Sequence, residues 1–140
     1  MKTQTEIVIE TLQFYLSDPS ARRSKSDSST RCFYHMVTSD GDRNCAVGRC
    51  MTAKAIDLFG NFGGTVLELK KQLDLGDTLD TILREEYRGQ SERFWLALQY
   101  LHDNNLNWSL DDFGAKHRGD FIRSCFPDAV QPALDLGLIK

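Results

Sequence analysis

A chain of 140 residues with 41% hydrophobic content has room for one domain around one core. Its net charge of −3 argues against a general nucleic-acid binder, which carries a basic footprint. No apolar run reaches the ~20 residues of a membrane helix, and Glu6 and Glu10 interrupt the first apolar stretch, so neither a span nor a signal peptide is read there.

Residues 5–17 read as a first helix, with Val8, Leu12, Tyr15 and Leu16 at helical spacing and Ile9 beside them. Asp18-Pro19 stops it. Residues 20–30 are polar and serine-rich without a hydrophobic period, the pattern of a flexible loop. A β-hairpin follows. Asp40-Gly41 is a strong type I′ turn signal, and a turn there pairs Ser39 with Asp42, Val37 with Asn44 and Met36 with Cys45. One face of the ribbon then carries Cys32, Tyr34, Met36, Cys45 and Val47; the other carries Phe33, His35, Val37, Asn44, Ala46 and Gly48. Gly48 marks a close backbone approach at the strand exit.

A helix over 49–59 is expected next, with Met51, Ala55, Leu58 and Phe59 inward and Gly60 as a left-handed cap. Residues 61–64 form a turn that matches neither phosphate-loop pattern. Residues 65–73 fit either a helix or a strand; the helical reading has Thr65 and Glu68 as a capping box. Asp77 or Thr78 opens a short helix to residue 87, and Ser91 opens a stronger one to residue 103. Ser109 with Asp112 resembles the start of a last long helix, which Pro127 ends. The tail, 128–140, is too apolar to hang free and packs on the body or on a second subunit. The fold class is α+β: a predominantly helical single domain, 1–140, with one β-hairpin covered by helices.

Charge is uneven. Residues 22–49 hold six basic side chains against three acidic, whereas residues 71–112 hold four against nine. The basic stretch could attract a phosphate-bearing ligand.

The constellations that could carry chemistry are few. Cys32, His35, Cys45 and Cys50 match no common zinc spacing, and His35 points away from the cysteines in a regular ribbon. Cys32 and Cys45 are not opposed for a disulfide; a Cys45–Cys50 bridge stays open. Among cysteine nucleophiles, Cys50 beside Arg49 is the best placed. His102-Asp103 resembles a base and its carboxylate, but neighbours on a helix do not face each other. Lys116, His117 and Arg118 lie between Gly114 and Gly119, in a helix that must be broken or tightly packed there. Tyr34, His35, Arg43, Arg49, His102 and Trp108 remain as candidate ligand-binding residues, since arginines grip phosphate and aromatic faces stack on bases. No catalytic residue, metal ligand or cofactor is assigned.

Cys32-Phe-Tyr, Asp40-Gly-Asp-Arg-Asn-Cys-Ala-Val-Gly48, Glu86-Tyr-Arg-Gly89 and Phe94-Trp-Leu-Ala-Leu-Gln-Tyr-Leu-His-Asp103 with Trp108 resemble a small group of bacteriophage and mobile-element proteins. The serine-rich insert and the tail around Pro132 lie outside the resemblance. It implies no activity, but it implies a setting: a cytoplasmic accessory protein of the host cell that acts by binding. The expectation is a non-enzymatic counter-defence protein, either an inhibitor of a host protein or a nucleotide-binding sponge for a signal. Its partners would be a host protein or a phosphate-bearing small molecule, not general nucleic acid or membrane, and a homo-oligomer could form through the tail. The rival readings are a small hydrolase using His102 or a cysteine, and a structural zinc module.

Overall fold

The computed structural model describes residues 1–24, 33–39 and 41–140. Cys32, Asp40 and most of the serine-rich stretch, 25–30, with the loop, turn and zinc expectations that fall on them, lie outside the described residues.

Helix α1 (Gln4–Ser17) starts where the chain gives it a complete capping box. Thr3 accepts from Glu6 N–H, and the Glu6 carboxylate accepts from Thr3 N–H. It buries Ile7, Val8, Thr11, Leu12 and Tyr15. Asp18 then caps α2 (Pro19–Arg22), a single turn with proline at its start. The chain is therefore ordered further than its composition suggests: Arg23 and Ser24 are both buried.

The hairpin consists of β1 (His35–Thr38) and β2 (Gly41–Asn44). Thr38 pairs with Gly41, Val37 with Asp42, Met36 with Arg43 and His35 with Asn44. The expected register is thus wrong by two residues: Gly41 opens β2 instead of sitting inside the turn. A shift of two preserves the face of every side chain, because the strand period is two. Tyr34 and Cys45 accordingly still share the inner face, fully buried, and Cys45 N–H donates to Tyr34 O at 3.3 Å just past the strands. On the other face, Val37 is 74% exposed.

A lone two-stranded ribbon is marginal in water, and here both edges are tied down. Along β1, His35 N–H donates to Gly60 O at 2.9 Å, and Tyr34 N–H to Phe62 O at 3.3 Å. Against β2, Tyr15 donates its hydroxyl to Asn44 O at 2.6 Å, and Arg23 bridges to Asn44.

The expected helix over 49–59 is split. A 3₁₀ turn (Gly48–Cys50) gives way to extended Met51, which bridges to Leu83, and Thr52 then caps α3 (Ala53–Phe59). The break rotates α3, so Leu58 faces solvent at 65% exposure instead of lying inward. Gly60 keeps a right-handed backbone, φ −56°, contrary to the left-handed cap expected; a Cβ there would stand 3.0 Å from that of His35.

The capping box of Thr65 and Glu68 settles the ambiguous segment as helix α4 (Val66–Lys70). Two 3₁₀ turns (Leu79–Ile82 and Glu85–Tyr87) replace the short helix expected before α5 (Glu92–Asp103). Helix α5 is capped by Ser91 and buries Phe94, Trp95, Leu98, Gln99, Leu101 and His102. The cap of α6 (Asp112–Cys125) is Asp111, which accepts from Gly114 N–H at 2.9 Å, not Ser109. Instead, the Ser109 hydroxyl donates to that carboxylate at 2.7 Å.

Pro127 starts a further turn rather than only ending α6, and α7 (Val130–Asp135) folds back. The tail packs on its own body: Ala133 and Ile139 are buried, and Lys140 N–H donates to Ala115 O at 3.1 Å. The result is α+β, mostly helical, with one hairpin.

Candidate functional site

The hairpin-to-helix junction, where the sequence concentrates its unusual residues, is interior. Cys45, Ala46, Val47, Gly48 and Cys50 are all buried. Gly48 is required by contact: a Cβ would fall 1.8 Å from Tyr34 O. Cys45 Sγ accepts from Gly48 N–H at 3.2 Å, and Cys50 Sγ donates to Ala46 O at 3.5 Å; both thiols are unbridged. Burial pushes the Cys50 thiol up to about 12 despite the neighbouring Arg49 charge. A nucleophile needs the opposite shift.

Arg49 leaves the junction toward α1. Its guanidinium donates to Glu10 Oε1 at 2.5 Å and to Thr11 Oγ1 at 3.2 Å, and it lies over the Phe14 and Tyr87 rings. Glu10 also receives Lys2 Nζ at 2.6 Å and the Tyr87 hydroxyl. Burial raises the Glu10 pKa, but the three donors outweigh it and hold the carboxyl down at about 2. This charged seam staples the N-terminus to the junction. No local sequence pattern singles out Glu10, because Arg49 and Tyr87 reach it only through the fold.

His102 and Trp108 meet at Tyr15, with ring centroids 5.0 Å and 5.4 Å away. His102 is fully buried, and its Nδ1 lies 2.9 Å from Asp103 Oδ1. The two side chains do meet, against expectation, because Asp103 ends α5 and the backbone turns extended at Asn104. The His102 carbonyl, orphaned at the helix end, accepts from Arg23 Nε at 3.0 Å, Arg23 Nη2 at 2.6 Å and Trp108 Nε1 at 2.9 Å. Arg23 and Trp108 therefore act as a side-chain cap for α5.

The other nominated residues go elsewhere. Tyr34 donates to Gly64 O at 3.1 Å and to Gln99 Oε1 at 3.4 Å. His35 sits on the outer hairpin face with Asn44 Oδ1 at 2.8 Å and Asp42 Oδ2 at 3.7 Å. Arg43 pairs across the ribbon with Met36. Arg118 is buried and donates to Leu138 O at 3.0 Å and to Asn107 O and Ser109 O at 2.8 Å each. The flanking glycines are tightly packed: a Cβ on Gly114 would lie 1.9 Å from Ser109 O. The six candidate ligand-binding residues are thus spread over the aromatic core, the charged seam and the hairpin.

An open site lies on the other side of α3. A groove of about 320 Å³ separates α3 from residues 72–82. Ala55, Leu58 and Phe59 line one wall, and Leu73 and Ile82 the other. Lys54, Asp74 and Asp77 supply charge. Leu75, next to Asp74, is 105% exposed. The expectation of Leu58 as an inward residue hides this site in the sequence; Leu73, Leu75 and Leu79, apolar but without a helical period, are its one local signal.

No group of three or more metal-binding side chains is found among the described residues, and no described helix is long and apolar enough to cross a membrane. Compared with protein-family models, curated proteins and solved structures, the chain matches none of them.

Proposed function

We propose that this protein acts by binding a protein partner, without turning over a substrate, and that the partner docks in the groove between α3 and residues 72–82. Such a role suits the phage-type accessory proteins the sequence resembles, whose expected action is to block a host protein as a counter-defence. One observation carries the reading: the groove is open, Leu58 on its α3 wall is 65% exposed, and Leu75, next in sequence to the groove-lining Asp74, is 105% exposed. Apolar side chains left at a concave surface mark an interaction site, and covering them gains roughly 25 cal/mol per Å². The groups nominated for chemistry or phosphate binding have structural duties instead. Arg49 holds Glu10, Arg118 holds three carbonyls, and Cys50 is a buried thiol.

The test is quantitative capture from host lysate with the intact protein and its Leu58→Arg variant as baits. A partner retained by the first and depleted at least tenfold on the second is the expected result. A wild-type bait that retains nothing beyond bare resin overturns the reading. So does stabilisation by cyclic or linear nucleotides, which at a hundred times the dissociation constant adds about 2.7 kcal/mol.

A further inference from the structure

The groove has a mixed lining, in which Ala55, Leu58, Phe59, Leu73 and Ile82 stand among polar and charged side chains. Asp74 and Asp77 line it, and among the described residues neither carboxylate takes part in an ion pair. Other acidic side chains nearby are committed. Glu92 holds Lys70, and Glu86 lies 3.8 Å from Arg84. Asp80 accepts from Gly89 N–H at 3.1 Å. Lys54, on the opposite wall, does not close on the two aspartates across the groove. A surface of this kind attracts cations at a distance and rewards them on arrival.

From this complementarity, and resting on the binding role proposed above, we infer that the groove takes a short partner segment with an aliphatic anchor beside a lysine or arginine. The anchor lies between Leu58 and Phe59 on one wall and Leu73 and Ile82 on the other. The cation meets Asp74 and Asp77, where a charge-assisted hydrogen bond is stronger than a neutral one. An acidic segment would face the same carboxylates and be rejected, so the charge sets specificity as well as attraction.

The experiment pans short random peptides displayed on yeast against the full-length protein. The expected selection is sequences with Leu, Ile or Met next to Lys or Arg. Their affinity should fall about tenfold or more on Asp74→Lys with Asp77→Lys, fall again with rising salt, and be lost on Leu58→Arg. The milder Asp74→Asn with Asp77→Asn keeps the test valid should charge reversal disturb the fold. Selected peptides without a basic residue, affinities within about twofold after both charge changes, or no selection at all would overturn the inference. A lysate partner that is lost on Leu58→Arg but kept on both charge variants leaves groove binding standing and removes the cationic segment. A wild-type dimer that Leu58→Arg returns to monomer assigns the groove to a second copy and likewise ends the inference.

Discussion

The hairpin-to-helix junction and the α3 groove differ in almost every physical respect. At the junction, both thiols and the Arg49 guanidinium end have protein partners within a few ångströms and a methyl group cannot be added at Gly48. At the groove, Leu58 stands in solvent, and among the described residues Asp74 and Asp77 take part in no ion pair. The rare residue types sit in the first region, the ordinary ones in the second. Unusual composition here marks architecture, because a cysteine, a glycine and an arginine in close quarters are what a sharp strand exit needs. A binding surface can be built from leucine and aspartate, which no sequence makes conspicuous.

Gly48→Ala breaks this comparison hardest. The added Cβ would overlap Tyr34 O at 1.8 Å, and the carbonyl belongs to a backbone pinned by Phe62 and Cys45. Overpacking of a fixed backbone should cost more than about 3 kcal/mol. Urea unfolding should show a large drop in midpoint or no folded baseline. A midpoint close to wild type would mean the junction yields, and that its tightness is not structural.

Arg118→Ala comes next. It strands the carbonyls of Leu138, Asn107 and Ser109, which link the tail, the 3₁₀ turn (Asn105–Trp108) and α6. A loss of about 2–3 kcal/mol is expected. Faster proteolysis at residues 136–140 should accompany it, since the tail loses one of its anchors, at Leu138, while α1 and the junction lose none.

Glu10→Gln should cost about 1 kcal/mol, because the seam is partly solvated and screened. Its pH signature is more specific. The folded carboxyl is held at about 2 against an ordinary 4.5. Its contribution is therefore present in full above about 4.5 and disappears as pH falls toward 2. Wild-type stability should decline across that window, and the variant should decline less. Parallel pH profiles for the two proteins would show that Lys2, Tyr87 and Arg49 do not bear on this group in solution.

Local signals carried most of the fold. Ser91 and the apolar period of α5 place that helix correctly, because a cap or a stripe is decided within one or two turns; residues 65–73 stay open between helix and strand until the capping box of Thr65 and Glu68 is seen in place. The hairpin was legible in kind but not in register. Asp-Gly favours one turn strongly, yet the edges held by Phe62, Gly60, Asn44 and Tyr15 are contacts between distant parts of the chain. The same holds for α3, whose rotation is set by Met51 pairing with Leu83. That long-range bridge turned Leu58 outward and created the groove wall, so the site could not be seen from residues 49–59 alone. Arg118 and His102 looked chemical for a related reason: the carbonyls and rings that occupy them come from Leu138, Asn107 and Tyr15.

The smallest stability effect expected is the most informative about the groove. Leu58→Arg and Leu75→Ser alter side chains 65% and 105% exposed, with Leu75 making no burial to lose. Surface changes away from caps and networks stay within about 0.5 kcal/mol, so both variants should unfold at nearly the wild-type denaturant concentration. If instead either one lost about 2 kcal/mol, the leucines would be holding α3 against residues 72–82, as a closed core does. The groove would then be a seam of the fold, and the contrast with the junction would vanish. Near-neutral stability combined with lost partner capture is the pattern that separates a surface kept for another molecule from one kept for the chain itself.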